Sequence, residues 1–303
     1  MANAMNRRRF LAISAASAAT SMAAPVLAAT GARWRGIALG APATMKLTGL
    51  SQQQARPVFQ AVEAEIARLE QVFSLFREDS EVARLNRVGR VSMPSPDLLE
   101  VLSLCDRLHV ATDGTFDPTI QPMWLALAQG QNLAAAQALT GWHNLQFDTS
   151  QVHLTRPGMA ITLNGVAQGY ITDRVAAVLR DRGLDNILID VGEVAALGGR
   201  PDGQDWRAGI ADPNGHLVHQ ITLRDRSLAT SAPLGTVLDS SGTVGHILDP
   251  RPEQHVAKHL LVSVSADNAA VADGLSTALC LLEKSRATAA ISAFAGARIE
   301  YLT

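Results

Sequence analysis

The stretch from Met159 to Gly192, MAITLNGVAQGYITDRVAAVLRDRGLDNILIDVG, decides the fold class. Met159–Leu163 reads as a strand running into the turn residues Asn164-Gly165. Tyr170 to Arg182 carries a helical pattern ended by Gly183, and Asn186–Val191 is a short buried strand broken at Gly192. Working outward, Val58, Val62, Ile66, Leu69 and Phe73 recur at helical spacing and predict an amphipathic helix over 52–73. A second helix starts at Pro96, with Ser95 as its cap, and runs through Leu98, Leu102, Cys105 and Leu108. Residues 126–139 read as an Ala/Gln helix. Beyond the opening stretch, WRAGIA from Trp206, LVHQITL from Leu217, SLAT from Ser227, GTVL from Gly235 and HLLVSV from His259 are short β-type runs. A long helix over Asn268 to Leu282, a shorter one near 286–294 and a strand at Ala297–Leu302 complete the chain. Helices and strands mix without strict βαβ alternation, so the expected class is α+β rather than a doubly wound sheet.

The 303 residues are 47% hydrophobic and 18% charged, a globular composition with chain enough for one large domain. A net charge of −2 offers no field for a phosphate backbone, which argues against nucleic acid as a partner. Two cysteines, Cys105 and Cys280, make neither a disulfide framework nor a Cys-based zinc site, and their leucine-rich surroundings favour buried free thiols. The N-terminal segment NRRRFLAISAASAATSMAAPVLAA, from Asn6 to Ala29, has a basic start, an uncharged stretch and a small-residue end. It reads as a secretory signal, and Arg7-Arg8-x-Phe10-Leu11 resembles the twin-arginine type. The expected division is a signal peptide over 1–28 and a mature domain over 29–303, periplasmic and without stable membrane insertion. No other stretch approaches the roughly 18 apolar residues that a transmembrane helix needs.

Four fragments carry chemistry. In Ala272-Asp273-Gly274-Leu275-Ser276-Thr277, Asp273 and Thr277 are one helical turn apart with Ser276 beside them, hard oxygen donors of the kind Mg²⁺ takes. Gly274 in a helix interior points to a close approach by something else. Asn164-Gly165-Val166-Ala167-Gln168-Gly169 is a glycine-containing turn that opens a helix, able to meet an anion with its N–H groups or a cation with its carbonyls. Asp173 behind it reads as a first-turn helix acid. His246-Ile247-Leu248-Asp249-Pro250 puts a histidine and a carboxylate in one turn, and Gly114-Thr115-Phe116-Asp117-Pro118-Thr119 is a Gly/Pro loop with one acid and one aromatic.

In their order and spacing, the fragments resemble the ApbE family, the FAD:protein FMN transferases. The match runs from Phe73-Ser74-Leu75-Phe76-Arg77 through Phe116-Asp117-Pro118-Thr119 and Gly165–Tyr170. It continues with Leu228-Ala229-Thr230-Ser231, His246–Pro250 and Ala272-Asp273 with Thr277-Ala278, covering nearly all of the mature chain. The resemblance implies a single domain of the ApbE type, related to the T-fold. It implies a transferase that uses FAD and Mg²⁺, moves FMN onto a Ser or Thr hydroxyl and releases AMP. Its partner would be a membrane or periplasmic flavoprotein of an electron-transfer system. Carried over, Asp273, Thr277 and the Gly165 carbonyl would hold Mg²⁺, with Ser276 assisting. Phe76, Thr115, Phe116, Asp117 and Gln168 would line the FAD site, with His246 and Asp249 in the motif that closes over it. The proton acceptor would be Asp273, or a water near it, in preference to His246.

The chain departs from the family pattern at several points. Gln168 stands where many members carry Lys, and a single glycine, Gly192, precedes Glu193 where two are common. Two alternatives share these residues. One is a periplasmic FAD pyrophosphatase yielding FMN and AMP. The other is a non-catalytic flavin-binding or assembly protein, for which Gln168 is the best support.

Overall fold

The computed structural model describes residues 31–239, 241–251 and 257–303. The expected signal peptide lies outside the described residues. The chain opens with a hairpin of β1 (Gly31–Ala38) and β2 (Ala41–Thr48), whose inward positions Ala41, Ala43, Met45 and Leu47 alternate with exposed ones. Helix α1 (Gln52–Phe73) follows the predicted span. Ser51 and Gln54 close a capping box at its start, and its apolar stripe packs on the strand side of the domain. Next come α2 (Glu81–Val88), the short strand β3 (Arg90–Ser92) and α3 (Pro96–Ala111), where the Ser95 hydroxyl accepts from Leu98 N as its sequence position foretold.

The Ala/Gln segment departs from expectation. It forms two helices, α4 (Gln121–Gln129) and α5 (Leu133–Gln137), because Gly130 adopts φ 65° and stops the first one. The strands β4 (Leu145–Phe147) and β5 (Gln151–Leu154) join β3 in a three-stranded sheet. Met159–Leu163 is extended but pairs with no strand. Asn86 takes both backbone groups of Ile161, at 2.7 Å and 2.8 Å, and the Pro118 carbonyl accepts from Thr162 N. A side chain replaces the neighbouring strand, which periodicity does not reveal.

Helix α6 (Ala167–Arg180) leads into the tight hairpin of β6 (Ile187–Asp190) and β7 (Val194–Leu197). A second hairpin, β8 (Trp206–Ala211) with β9 (Leu217–Leu223), stands apart as a two-stranded sheet. The chain ends with β10 (Arg226–Ser231), β11 (Val262–Ala266), α7 (Ala269–Leu279), α8 (Lys284–Ser292) and β12 (Arg298–Leu302). GTVL is not a strand: it leaves a 3-10 turn at Pro233–Gly235 and makes only a bridge from Val237 to Gly245.

The main sheet has seven strands in the order β1-β2-β6-β7-β10-β11-β12, and every neighbouring pair is antiparallel. The α+β class therefore holds. Helices α1, α6 and α7 cover one face, and the β8–β9 hairpin shields part of the other. Strand β7 reports both faces. Ala195 and Leu197 point into the large helix-side core, while Val194 and Ala196 join Ile210, Leu223 and Leu228 on the opposite side. Burial on both faces gives it a continuous apolar run instead of an alternating one.

The tightest contact is between α6 and α7. A Cβ at Gly169 would lie 2.4 Å from the Ala269 carbonyl oxygen and 2.7 Å from Ala270 Cα. Backbone cannot retreat as a flexible side chain can. Gly169→Ala is therefore expected to cost about 1–3 kcal/mol of stability, measurable by urea denaturation.

Candidate active site

The site is built where the two helices exchange aspartates. Asn268 gives α7 no side-chain cap; instead the Asp173 carboxylate, projecting from α6, accepts from Ala269 N at 2.7 Å and Ala270 N at 2.9 Å. Val166 likewise gives α6 no side-chain cap, and Asp273 on α7 accepts from Gly169 N at 3.0 Å. Each N-terminus thus receives a carboxylate from the other helix, as its orphan N–H groups and dipole favour. Asp173 lies in the second turn of α6, so it is a cap for another helix and not a first-turn acid. Asp273 is buried at 4% exposure. Gly274 is explained by packing: a Cβ there would meet Leu108 Cδ1 at 2.3 Å.

A cleft of about 180 Å³ opens above this junction. Its lining includes Thr115, Phe116, Asp117, Gly165, Gln168, His246, Asp273 and Thr277, so the structure brings together eight of the residues singled out in the sequence. Gly165 faces Thr277, and a Cβ added to it would sit 3.3 Å from Thr277 Oγ1, filling the space beside the hydroxyl. Ser231 at the end of β10 also lines the cleft, and its hydroxyl lies 2.8 Å from Ser276 Oγ and 3.4 Å from Thr277 Oγ1.

Three expected residues stand elsewhere. Ser276 is buried behind Ser231. Phe76 is partly exposed outside the cleft lining. Asp249 is also outside it, buried and paired with Arg251 at 2.9 Å and 2.6 Å. Asp117 lines the cleft but is already engaged: its carboxylate accepts from Thr119 N, Thr119 Oγ1 and Trp142 N. Glu193, Thr230 and Ser231 also line the cleft. The signal for Glu193 was in the sequence, as a charged residue between two apolar runs in Ile187–Leu197.

Electrostatics follow from burial. Burial raises the Asp273 carboxyl, the Gly169 N–H opposes this, and the nearby Asp173 adds to it. Glu193 is raised by burial first, then by Asp273 and Asp190, against one hydrogen bond from Thr230 N. His246 is the converse case. Its Nδ1 lies 3.0 Å from the Pro233 carbonyl, burial lowers its pKa, and the ring is neutral with Nε2 as the unprotonated nitrogen. Thr115 Oγ1 is buried and has no hydrogen-bond partner among the described residues.

The donors suit a hard cation. No three His, Cys, Asp or Glu side chains converge as a metal-binding group among the described residues, so a nitrogen- or sulfur-rich transition-metal site is not what this wall offers. A carboxylate and two neighbouring hydroxyls are oxygen donors that fit Mg²⁺, and the missing side chain at Gly165 leaves room beside them.

The ApbE family model matches residues 39–301, so the chain belongs to the ApbE family. A relative from Chlamydia muridarum named FAD:protein FMN transferase is 30% identical over 251 residues, covering 76% of this chain and 77% of that protein. One of the same name from Haemophilus influenzae is 28% identical over 251 residues, covering 75% of this chain and 72% of that protein. Among solved structures, the apo form of the Pseudomonas stutzeri flavinyl transferase ApbE superposes with a TM-score of 0.74 at 27% identity, covering 86% of this chain and 87% of that one.

Asp190, at the end of β6, tests the electrostatics independently. Burial pushes its carboxyl up to about 6 against a hydrogen bond from Gly192 N. The unfolded chain ionises first as pH rises, so the native state loses stability from about pH 4 to about pH 6 and stays lower above. Asp190→Asn should make that decline shallower and raise stability above pH 6 by about 1–3 kcal/mol, as read from denaturation midpoints across pH.

Proposed function

We propose that this chain is an Mg²⁺-dependent FAD:protein FMN transferase that labels a Ser or Thr hydroxyl of a partner flavoprotein and releases AMP. The observation that carries the reading is the meeting of Asp273, Thr277, Gly165 and a neutral His246 in one cleft of an ApbE-family chain. The names of the curated relatives supply the reaction class.

Asp273, Thr277 and the Gly165 carbonyl would hold the cation, with Ser276 supporting from behind Ser231. When bound, Mg²⁺ supplies positive charge to the pyrophosphate oxygens of the substrate. Phe116, Asp117 and Gln168 bound the nucleotide space, and Thr115 Oγ1 offers it an uncommitted hydroxyl. The acceptor oxygen bonds to the flavin-side phosphorus while the bond from that phosphorus to the bridging oxygen breaks. AMP leaves with the bridging oxygen. The acceptor's proton goes to His246 Nε2, because its Nδ1–H is already donated to Pro233 and its ring is neutral. Asp273, committed to Gly169 N and to the cation, is the weaker base. This moves the base from Asp273, favoured by the sequence, to His246.

Residues 1–28 are proposed as a twin-arginine signal, leaving a periplasmic domain over 29–303 that serves an electron-transfer flavoprotein. Among the described residues, no helix is long and apolar enough to cross a membrane.

The test incubates residues 29–303 with FAD, Mg²⁺ and an acceptor domain, then reads flavin fluorescence on the acceptor band after denaturing electrophoresis. A band that requires Mg²⁺ supports transfer; AMP and free FMN without a band would replace it by hydrolysis, and intact FAD by a binding role. His246→Asn should lower kcat by about 10²–10⁴-fold while leaving FAD affinity near wild type. The wild-type rate should fall on acidification only below the ordinary histidine range, since a lowered pKa keeps the base unprotonated down to that point.

A further inference from the structure

Among the described residues lining the cleft there is no Lys or Arg, while three carboxylates face it: Asp117, Glu193 and Asp273. Asp117 is accounted for by its hydrogen bonds to Thr119 and Trp142. Glu193 and Asp273 are each more than nine-tenths buried, and among the described residues neither is paired with a cationic side chain. Two buried carboxylates with one backbone N–H apiece are a costly arrangement unless an opposite charge completes it.

Geometry links the pair. The Glu193 carboxylate accepts from Thr230 N, and the next residue, Ser231, reaches Thr277 Oγ1 at 3.4 Å and Ser276 Oγ at 2.8 Å. Thr277 stands one helical turn from Asp273. Glu193 lines the same cleft from the β6–β7 hairpin side, close enough for the Asp273 charge to act on it, while Asp273 enters from α7. In the same cleft Thr115 Oγ1 is buried at 2% exposure without a partner, an independent sign that the lining is completed by a ligand.

We propose that Glu193 is a second carboxylate ligand of the divalent cation held by Asp273 and Thr277, so that the site binds the cation before any nucleotide arrives. This rests on the cation site proposed above. One divalent ion balances the two carboxylates, and the Thr277 hydroxyl and Gly165 carbonyl add neutral oxygens. The hairpin loop thereby becomes part of the metal site, tying the sheet to the α6–α7 junction.

The test uses residues 29–303 without nucleotide. Mn²⁺ is titrated in, and free ion is followed by its electron paramagnetic resonance signal. One ion per chain is expected for the wild type. Glu193→Gln, nearly isosteric, should weaken binding roughly tenfold or more, and Asp273→Asn should weaken it at least as much. In EDTA, Glu193→Gln should melt no lower than wild type, because it removes a buried charge, so weaker Mn²⁺ binding then reports lost ligation rather than lost fold. Equal Mn²⁺ affinity for Glu193→Gln and wild type would overturn the inference, as would a wild type that takes up Mn²⁺ only after FAD is added. Wild-type binding by Asp273→Asn would instead remove the cation site from the proposed function. A protein that binds Mn²⁺ through Glu193 yet labels no acceptor would retain this inference and lose the transferase reading.

Discussion

The exchange of aspartates between α6 and α7 is the constraint on which the rest of the structure depends. Neither helix caps itself, and each N-terminus is completed by a carboxylate from the other, Asp173 in one direction and Asp273 in the reverse. The exchange works only because Gly169 lets the α7 backbone approach within reach. Packing and chemistry are consequently the same interaction: the carboxylate that completes α6 is also the one that faces the cleft. Its position is set by the helix pair rather than by a flexible loop, support that would suit the cation site proposed above.

The sheet contributes differently. Strands β2 and β6 pair, Met45 against Ile189, although most of the helical region lies between them in sequence. This brings the N-terminal hairpin beside the β6–β7 loop and its Glu193. On the far side β10 delivers Thr230 and Ser231 to the same cleft. Among the described residues the lining holds no Lys or Arg, so none of these side chains offers a positive charge to an anionic substrate. That is a different solution from a basic phosphate cradle, and it makes the oxygen cluster around Thr277 the electrostatic centre of the cleft.

Long helices with regular apolar spacing were legible in the sequence. The 52–73 helix and the Ser95 cap follow from Val58–Phe73 periodicity and local capping, and both depend on near neighbours in the chain. Elements governed by distant partners were not. Met159–Leu163 has strand composition, yet its backbone bonds go to Asn86 and Pro118. Strand β7 is apolar on both faces and gave no alternation to read. The β1–β2 hairpin, with small inward alanines, passed without notice. At the site, motif order gathered eight cleft residues, because the family resemblance encodes tertiary neighbours that spacing does not. Asp249 lies outside the cleft, where a salt bridge to Arg251 satisfies it locally, and the capping role of Asp173 is hidden from local sequence because its partners lie on another helix.

The walls of the cleft come from Thr115–Pro118, Thr162–Gln168, Glu193, Thr230–Ala232, His246–Leu248 and finally Asp273–Leu281. A growing polypeptide cannot possess the cleft until its last segment has been synthesised, since α7 carries both a proposed ligand and the carboxylate that completes α6. Before that point α6 lacks the carboxylate that caps it and the cleft lacks one wall. The cleft is thus complete only once the chain has been made through Leu281, and a product truncated before α7 lacks one of its walls.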